Sequence, residues 1–252
     1  MLETVQHDEI LEIRLARPPA NALDTGLLRA LDGALREAEA GGAAGVVLSG
    51  RPGLFTGGLD LPFLIGLSRE EILEPFTAFF ELLATAARLE IPLAAAITGH
   101  SPAGGAVIAQ FCDLRVMAWG EFLIGFSEAQ IGVVMPRSLV QVIALRLGWA
   151  TMADLVVSGR LVGPEEALEL GIVDGLAEPE QVVETAVARL GKLLSVPREA
   201  MLETRRRVRR PLVEAMATGI EEDTASFVDW WFHPETQAAL KAAVARLTGR
   251  GR

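Results

Sequence analysis

The chain has 252 residues, half of them hydrophobic, a net charge of −10 and a single cysteine, Cys112. That length and apolar content suit one large domain, with or without an appendage. The acidic balance argues against nucleic acid or an anionic membrane as the main partner, and the lone cysteine excludes an internal disulfide and fits a reducing compartment.

The opening MLETVQHDEILEIRL is charged and alternating, without the pattern of a signal peptide. Val5 to Leu15 reads as a strand or hairpin, with Ile10, Ile13 and Leu15 apolar around Glu12 and Arg14. Arg17 to Asp24 is a loop, since Pro18 and Pro19 stop regular pairing. Asp24 or Thr25 caps a helix to about Ala40 whose face carries Leu27, Leu28, Leu31 and Leu35, and Gly41-Gly42 ends it. Gly45 to Ser49 is a short buried strand. It leads into the glycine-bearing turn RPGLFTGGLDLP, in which Asp60 is placed to cap a helical turn ahead of Pro62. Glu70 to Leu89 reads as a helix interrupted or started near Pro75, and Leu93 to Thr98 as a strand.

A second turn of small residues follows, His100-Ser101-Pro102-Ala103-Gly104-Gly105, and then an apolar segment to Phe111. Glycines there let backbone N–H groups approach a ligand closely, and a helix start adds partial positive charge. Ile91 to Cys112 carries no charged residue, long enough to raise a membrane span, but Pro92, Gly99, Pro102, Gly104 and Gly105 break it. A buried strand followed by a buried helix accounts for the run. Leu114 to Ala118 is another strand, and Glu128 is an isolated acid among apolar neighbours. An anion-stabilising turn and an isolated acid suit chemistry on a carbonyl compound.

Further helices are expected from Pro136 to Leu147, from Trp149 to about Ser158 and from Pro164, with a short strand at Gly171 to Asp174 and an amphipathic helix at Glu180 to Leu194. Beyond Pro197 the pattern is helical only, over Arg198–Arg209, Leu212–Asp229 and Glu235–Leu247. The expected organisation is a mixed α/β core over 1–195 and a helical region over 196–252 suited to oligomerisation. Trp230-Trp231-Phe232 reads as core or subunit interface, or as part of a ligand box. The run Arg205-Arg206-Arg207 with Arg209-Arg210 is a solvated helix face or a phosphate contact. No His, Cys, Asp or Glu grouping has metal-ligand spacing, so no metal is expected.

Four segments taken in order resemble the crotonase (enoyl-CoA hydratase/isomerase) superfamily. Phe55-Thr56-Gly57-Gly58-Leu59-Asp60 is similar to its F-(S/C)-A-G-x-D motif, and Gly99 to Gly105, ending at Cys112-Asp113, to its second glycine-rich motif. Ser127-Glu128-Ala129-Gln130-Ile131-Gly132 is similar to its acid-bearing segment, and Gly163 through Asp174 to the helix and strand that follow. The resemblance implies an α/β fold, a crotonase-like spiral of ββα units with a C-terminal helical region, in trimers or pairs of trimers. It implies an acyl-CoA substrate, with no cofactor beyond the CoA that the substrate carries. The thioester oxygen would sit between the N–H groups of Leu59 and Gly104, with Glu128 as the acid. Gly57 would border the adenine and the Ala20 to Ala22 loop the pantetheine arm, while Gly58, Asp60, Leu61 and Ser127 adjoin these groups on the substrate side.

The departures from the family pattern narrow the activity. Hydratases of the superfamily use two glutamates; the second is kept as Glu128, and the first falls on Val107. Dienoyl-CoA isomerases would need a further acid at what is Pro136. One base suffices to shift a 3-enoyl thioester to the 2-trans isomer, and the Pro102 to Gly105 wording is nearer the Δ3,Δ2-enoyl-CoA isomerases. An apolar setting from Phe122, Leu123, Ile124 and Phe126 is expected to raise the Glu128 pKa. Glu121 matches no family acid and reads as structural, and His100 reads as a backbone support. The alternatives are another crotonase-type reaction (hydration, thioester hydrolysis or decarboxylation), a non-catalytic acyl-CoA-binding protein, or an oligomeric structural protein. A cytoplasmic location is expected.

Overall fold

The computed structural model describes residues 1–217 and 220–249. In chain order the elements are β1 (Leu2–His7), β2 (Ile10–Leu15), α1 (Thr25–Ala40), β3 (Gly45–Ser49), β4 (Gly53–Leu54), α2 (Leu61–Leu64), α3 (Leu73–Arg88), β5 (Leu93–Ile97), β6 (Gly99–Pro102), α4 (Gly104–Gln110), β7 (Leu114–Ala118) and β8 (Ile124–Gly125). A short 3-10 helix, Ser127–Ile131, precedes α5 (Arg137–Leu147), α6 (Trp149–Ser158), β9 (Leu161–Val162), α7 (Pro164–Glu169), β10 (Gly175–Ala177) and α8 (Val182–Leu194). The C-terminal helices are α9 (Arg198–Ala217), α10 (Ile220–Trp231) and α11 (Pro234–Leu247).

The strands form a six-stranded sheet in the order β1-β2-β3-β5-β7-β10 and a four-stranded sheet in the order β4-β6-β8-β9. Successive stretches give one strand to each sheet and then a helix: β3 and β4 before α2 and α3, β5 and β6 before α4, β7 and β8 before α5. This is the ββα spiral that the family resemblance implies. β3 and β5 are buried along their whole length, as a parallel sheet covered on both faces requires. Their alternation sorts the core: Val46, Leu48, Ala95 and Ile97 face α1 and α3, while Val47, Ala94 and Ala96 face α8 through Val182, Ala186 and Leu190.

The structure moves several elements from their expected places. Gly99–Pro102 is a strand of the small sheet, paired in parallel with both β4 and β8, so the turn contracts to Ala103. Pro102 is tolerated because the cross-sheet donors are the N–H groups of Ser101 and Ala103, at 2.9 and 2.8 Å from their acceptors. The strand expected at Gly171 to Asp174 lies at Gly175–Ala177, where β7 offers its edge. α9 continues through Pro211 because Leu212, Ala215 and Met216 go on burying the same face; a proline inside a helix removes one hydrogen bond and is normally a stop. The expected helix Leu212–Asp229 falls partly outside the described residues, and its remainder divides between α9 and α10.

The arginine run is the main correction. Arg205 and Arg209 are buried and grip Asp113, Nε of Arg205 at 3.0 Å and Nη1 of Arg209 at 2.9 Å. Arg209 also donates to the carbonyls of Ala86 and Phe111, and Arg205 to that of Leu89. Only Arg206, Arg207 and Arg210 face solvent, beside Glu203 and Glu214. Helical period explains the split: positions four apart share a face, and the two buried arginines turn inward together. They tie α9 to the C-terminal ends of α3 and α4 and to Asp113 ahead of β7.

Burial alone would raise the Asp113 pKa, but Arg209 and Arg205 outweigh it and hold it below the ordinary 3.8. A carboxylate depressed in the folded state contributes stability above its unfolded pKa and loses it as pH falls through the folded value. Asp113→Asn leaves two buried guanidiniums without their counter-charge. Denaturant unfolding is expected to show a loss of about 3–5 kcal/mol at pH 7, the usual cost of breaking a buried pair. A loss under about 1 kcal/mol, the range of exposed pairs, would contradict this role.

Candidate active site

Two backbone segments meet where β4 and β6 end. Phe55 donates its N–H to the His100 carbonyl at 3.0 Å and Gly53 to that of Thr98 at 2.9 Å. Beyond Phe55 the chain is held by the 16–24 loop. Buried Asn21 donates Nδ2 to the Leu15 and Phe55 carbonyls, at 3.0 Å each, and accepts from the Arg17 N–H at 2.8 Å. Thr56 Oγ1 donates to the Asn21 carbonyl at 2.6 Å and accepts the Gly58 N–H at 3.1 Å. The Gly57 N–H donates to the Ala20 carbonyl at 2.9 Å, the Leu23 N–H to the Gly58 carbonyl at 2.8 Å and the Asp60 N–H to the Leu23 carbonyl at 3.2 Å, bridging Leu23 to Leu59. Every backbone donor from Gly57 to Asp60 is thereby engaged except Leu59: among the described residues neither its N–H nor that of Gly104 has a protein acceptor.

Glycine is needed at two points here. Gly58 has φ +83, and a Cβ on it would lie 3.3 Å from the Pro102 carbonyl and 3.6 Å from the Gly104 nitrogen. The two donor segments therefore lie directly against each other. A Cβ on Gly105 would stand 2.6 Å from the Thr56 methyl and 2.7 Å from Ser101 Oγ. The first turn of α4 can approach the Thr56 segment only without a side chain there. Ala103, at φ 50, makes the turn between β6 and α4.

Leu59 and Gly104 both line a cavity of about 330 Å³. Leu59, Leu61 and Gly57 line one side, Pro102 to Gly104 another, and Ser127 and Glu128 a third. The rest of the wall is mostly apolar, chiefly Phe79 and Phe80 of α3, Met135, Pro136 and Leu139, and Phe227 and Trp231 of α10. Ala243, Arg246 and Leu247 of α11 complete it. Glu128 and Arg246 are the ionisable residues among those lining it.

Glu128 sits in the 3-10 helix, which Gly132 closes in the left-handed conformation. Thr236 Oγ1 of α11 donates to the Gly132 carbonyl at 2.7 Å. The Glu128 Oε2 is shut off from solvent and has no hydrogen-bond partner. Burial pushes its pKa up to about 7, opposed in part by its own backbone N–H. A neutral acid is favoured where nothing solvates the charge. Phe122, Leu123, Ile124 and Phe126 are not among the residues lining the cavity, whose apolar wall comes chiefly from α3, the start of α5 and the C-terminal helices.

Of the other expected positions, Leu59, Gly104, Gly57, Leu61 and Ser127 come together on the cavity with Glu128. Ala20, Ala22, Gly58 and Asp60 do not line it. Ala20 accepts from Gly57, Ala22 accepts from Arg17, and Gly58 supports the turn. Asp60 caps α2 through the Phe63 N–H and pairs with Arg17 at 3.0 Å. Val107 is buried in the main core and does not reach the cavity. Glu121 is exposed, and His100 accepts the Leu123 N–H at 3.1 Å. The aromatic run splits: Trp231 is core and cavity wall at once, packed on Phe76, while Trp230 is exposed. Sequence reasoning missed Phe79, Phe80, Phe227 and the α11 residues, whose helical spacing is that of any core face.

A family model described as enoyl-CoA hydratase/isomerase matches residues 6–247. The chain belongs to this family. Its members act on acyl-CoA thioesters. It is 31% identical over 238 residues to human enoyl-CoA delta isomerase 1, mitochondrial, covering 93% of this chain and 79% of that protein. It is 30% identical over 237 residues to a probable enoyl-CoA hydratase of Rhizobium meliloti, covering 93% and 91%. The crystal structure of human mitochondrial delta3-delta2-enoyl-CoA isomerase superposes with a TM-score of 0.93 at 29% identity, over 100% of this chain and 99% of that one. The fold is thus that of the crotonases. Among the described residues no helix is long and apolar enough to cross a membrane, and His, Cys, Asp and Glu form no group of three that could hold a metal.

The Glu128 pKa carries a cost in stability. The folded pKa lies above the unfolded one, so stability falls as pH rises from about 4.5 to about 7 and stays lowered above. Glu128→Gln removes that penalty. Thermal melts at pH 8 are expected to show the variant more stable by about 1–3 kcal/mol, with no difference at pH 4. Equal melts at both pH values would mean the acid is solvated.

Proposed function

We propose that the protein is a Δ3,Δ2-enoyl-CoA isomerase that moves one proton with one base. The observation that carries this reading is the cavity's make-up: Leu59 and Gly104, whose N–H groups have no protein acceptor among the described residues, and one buried carboxyl, on a wall that is mainly apolar apart from Ser127 and Arg246. A 3-enoyl thioester binds with its carbonyl oxygen between the Leu59 and Gly104 N–H groups. Ionised Glu128 takes a proton from C2. Charge passes to the thioester oxygen, where the preorganised donors stabilise it; losing one such donor typically costs about 10²–10³ in rate. The same carboxyl returns the proton at C4, leaving the double bond between C2 and C3. Substrate and product have the same atoms, so neither water nor a cofactor beyond the substrate's CoA takes part.

The hydratase named among the relatives favours a second reading. Hydration by the usual pair needs a second acid to hold water, and Val107 at that position is buried and apolar. Gly57 and the Ala20 to Ala22 loop behind it form the proposed CoA side of the site, with Leu61 and Ser127 flanking the reacting carbons. Gly58 and Asp60 serve it by shaping the turn. Assembly as a homotrimer or pair of trimers belongs to the same proposal.

The deciding assay presents purified protein with a 3-enoyl-CoA and, separately, a 2-trans-enoyl-CoA. Isomerisation without hydration is expected, and Glu128→Gln is expected to lower kcat by about 10²–10⁴. Robust hydration by the wild type would overturn the isomerase reading. The pH profile is a separate check. The base must be ionised, so kcat/KM is expected to rise with pH through about 7 and level off above; a rise centred near the ordinary glutamate value would show that Glu128 is not the group titrating.

A further inference from the structure

α4 carries one of the two donors at its first residue, yet little in its own sequence holds it in place. It is seven residues long, GGAVIAQ, and has no side-chain cap. Helices this short do not keep their geometry alone, and two leading glycines weaken the tendency further. Its start is held by the Ala103 N–H on the Gly125 carbonyl at 2.8 Å. Its far end is held from outside. Arg146 of α5 donates Nε to the Gln110 carbonyl at 2.8 Å and Nη2 to the Cys112 carbonyl. Arg209 takes the Phe111 carbonyl between them at 3.0 Å. The last carbonyls of a helix lack intrahelical partners and carry partial negative charge, so a cation is favoured there. Burial, with Arg115 and Arg209 close by, lowers the Arg146 pKa to about 10, against the pull of Asp113. It remains charged at neutral pH.

The guanidinium joins two parts of the site. α5 continues the stretch that bears Glu128, and Met135, Pro136 and Leu139 at its start line the cavity. Arg146 itself does not line it. We infer that Arg146 is a positioning residue, whose two-pronged grip on the end of α4 sets where the Gly104 N–H stands relative to Glu128. The inference rests on the oxyanion role proposed above for Gly104. α4 is only about 10 Å long, so movement at one end is carried to the other, and a misplacement of about 1 Å can cost about 10²-fold in rate.

Wild type, Arg146→Met and Arg146→Lys are compared by steady-state kinetics on a 3-enoyl-CoA. The carbonyl stretch of bound hexanoyl-CoA, labelled with ¹³C at the thioester carbon, is read by infrared difference spectroscopy. Donors on the oxygen lower that stretch, whereas loss of packing elsewhere does not restore it. The expected result is a stretch lowered in wild type and returned at least halfway to the free value in Arg146→Met. In that variant kcat falls about 10–100-fold while KM stays within about 3-fold. Lysine keeps the charge but not the fork, so Arg146→Lys is expected to recover only part of both. A folded Arg146→Met with the wild-type stretch and kcat overturns the inference. If that variant does not fold, Arg146→Lys decides: full wild-type stretch and kcat would overturn it, and partial loss would support it. An unshifted carbonyl in the wild type removes the donor pair, and the role of Arg146 with it. A shifted carbonyl that Arg146→Met leaves unchanged removes the Arg146 role alone.

Discussion

Backbone N–H groups are obligatory hydrogen-bonding groups, and leaving one without a partner in a folded interior is costly. Among the described residues Leu59 and Gly104 have N–H groups without a protein acceptor, and both line the same largely apolar cavity. Much of the surrounding architecture follows from that arrangement. The small sheet brings the ends of β4 and β6 together. Asn21 and Thr56 use up the neighbouring polar groups. Glycine at 58 and 105 lets the segments touch. Each feature is modest alone, and together they hold Leu59 and Gly104 on one cavity with their N–H groups left free of protein acceptors.

The carboxyl opposite obeys the inverse logic. Glu128 sits where its charge is poorly solvated, and the structure supplies no donor to its Oε2. A site arranged for protein stability would neutralise or expose such a group. Here the surrounding wall comes from helices far apart in the chain, α3, α5, α10 and α11, so the cost is spread over a large core. A raised pKa and a proton acceptor that moves little are what the proposed shuttle from C2 to C4 requires.

Charge at the opposite end of α4 supports the same geometry. Asp113 follows that helix and gathers Arg205, Arg209 and the Leu93 N–H, while Arg146 grips the last carbonyls of α4. The C-terminal helices are therefore bound to the α4–β7 link as well as to the cavity wall, where Trp231 and Phe227 pack against Phe76. A basic run that reads in sequence as a solvated face is, in its buried half, an anchor.

The sequence by itself determined the strands of the large sheet up to β7, most helix boundaries, the two glycine-bearing segments and the isolated acid. These depend on residues within a few positions of one another: the cap at Asp24, the continuous apolar strands, the glycines that only a turn accommodates. Family resemblance then placed Leu59, Gly104 and Glu128, and the three meet on one cavity. Only the tertiary structure decided that Phe79, Trp231 and Leu247 wall that cavity, that Asp60 caps α2 and pairs with Arg17, and that Gly99–Pro102 pairs as a strand. It also decided that Arg209 reaches Asp113, 96 residues away in the chain. The reason is that helical spacing shows which side chains share a face but not what that face meets. The partner of a buried charge, or the wall around a carboxyl, is set by packing between segments that carry no local sign of each other.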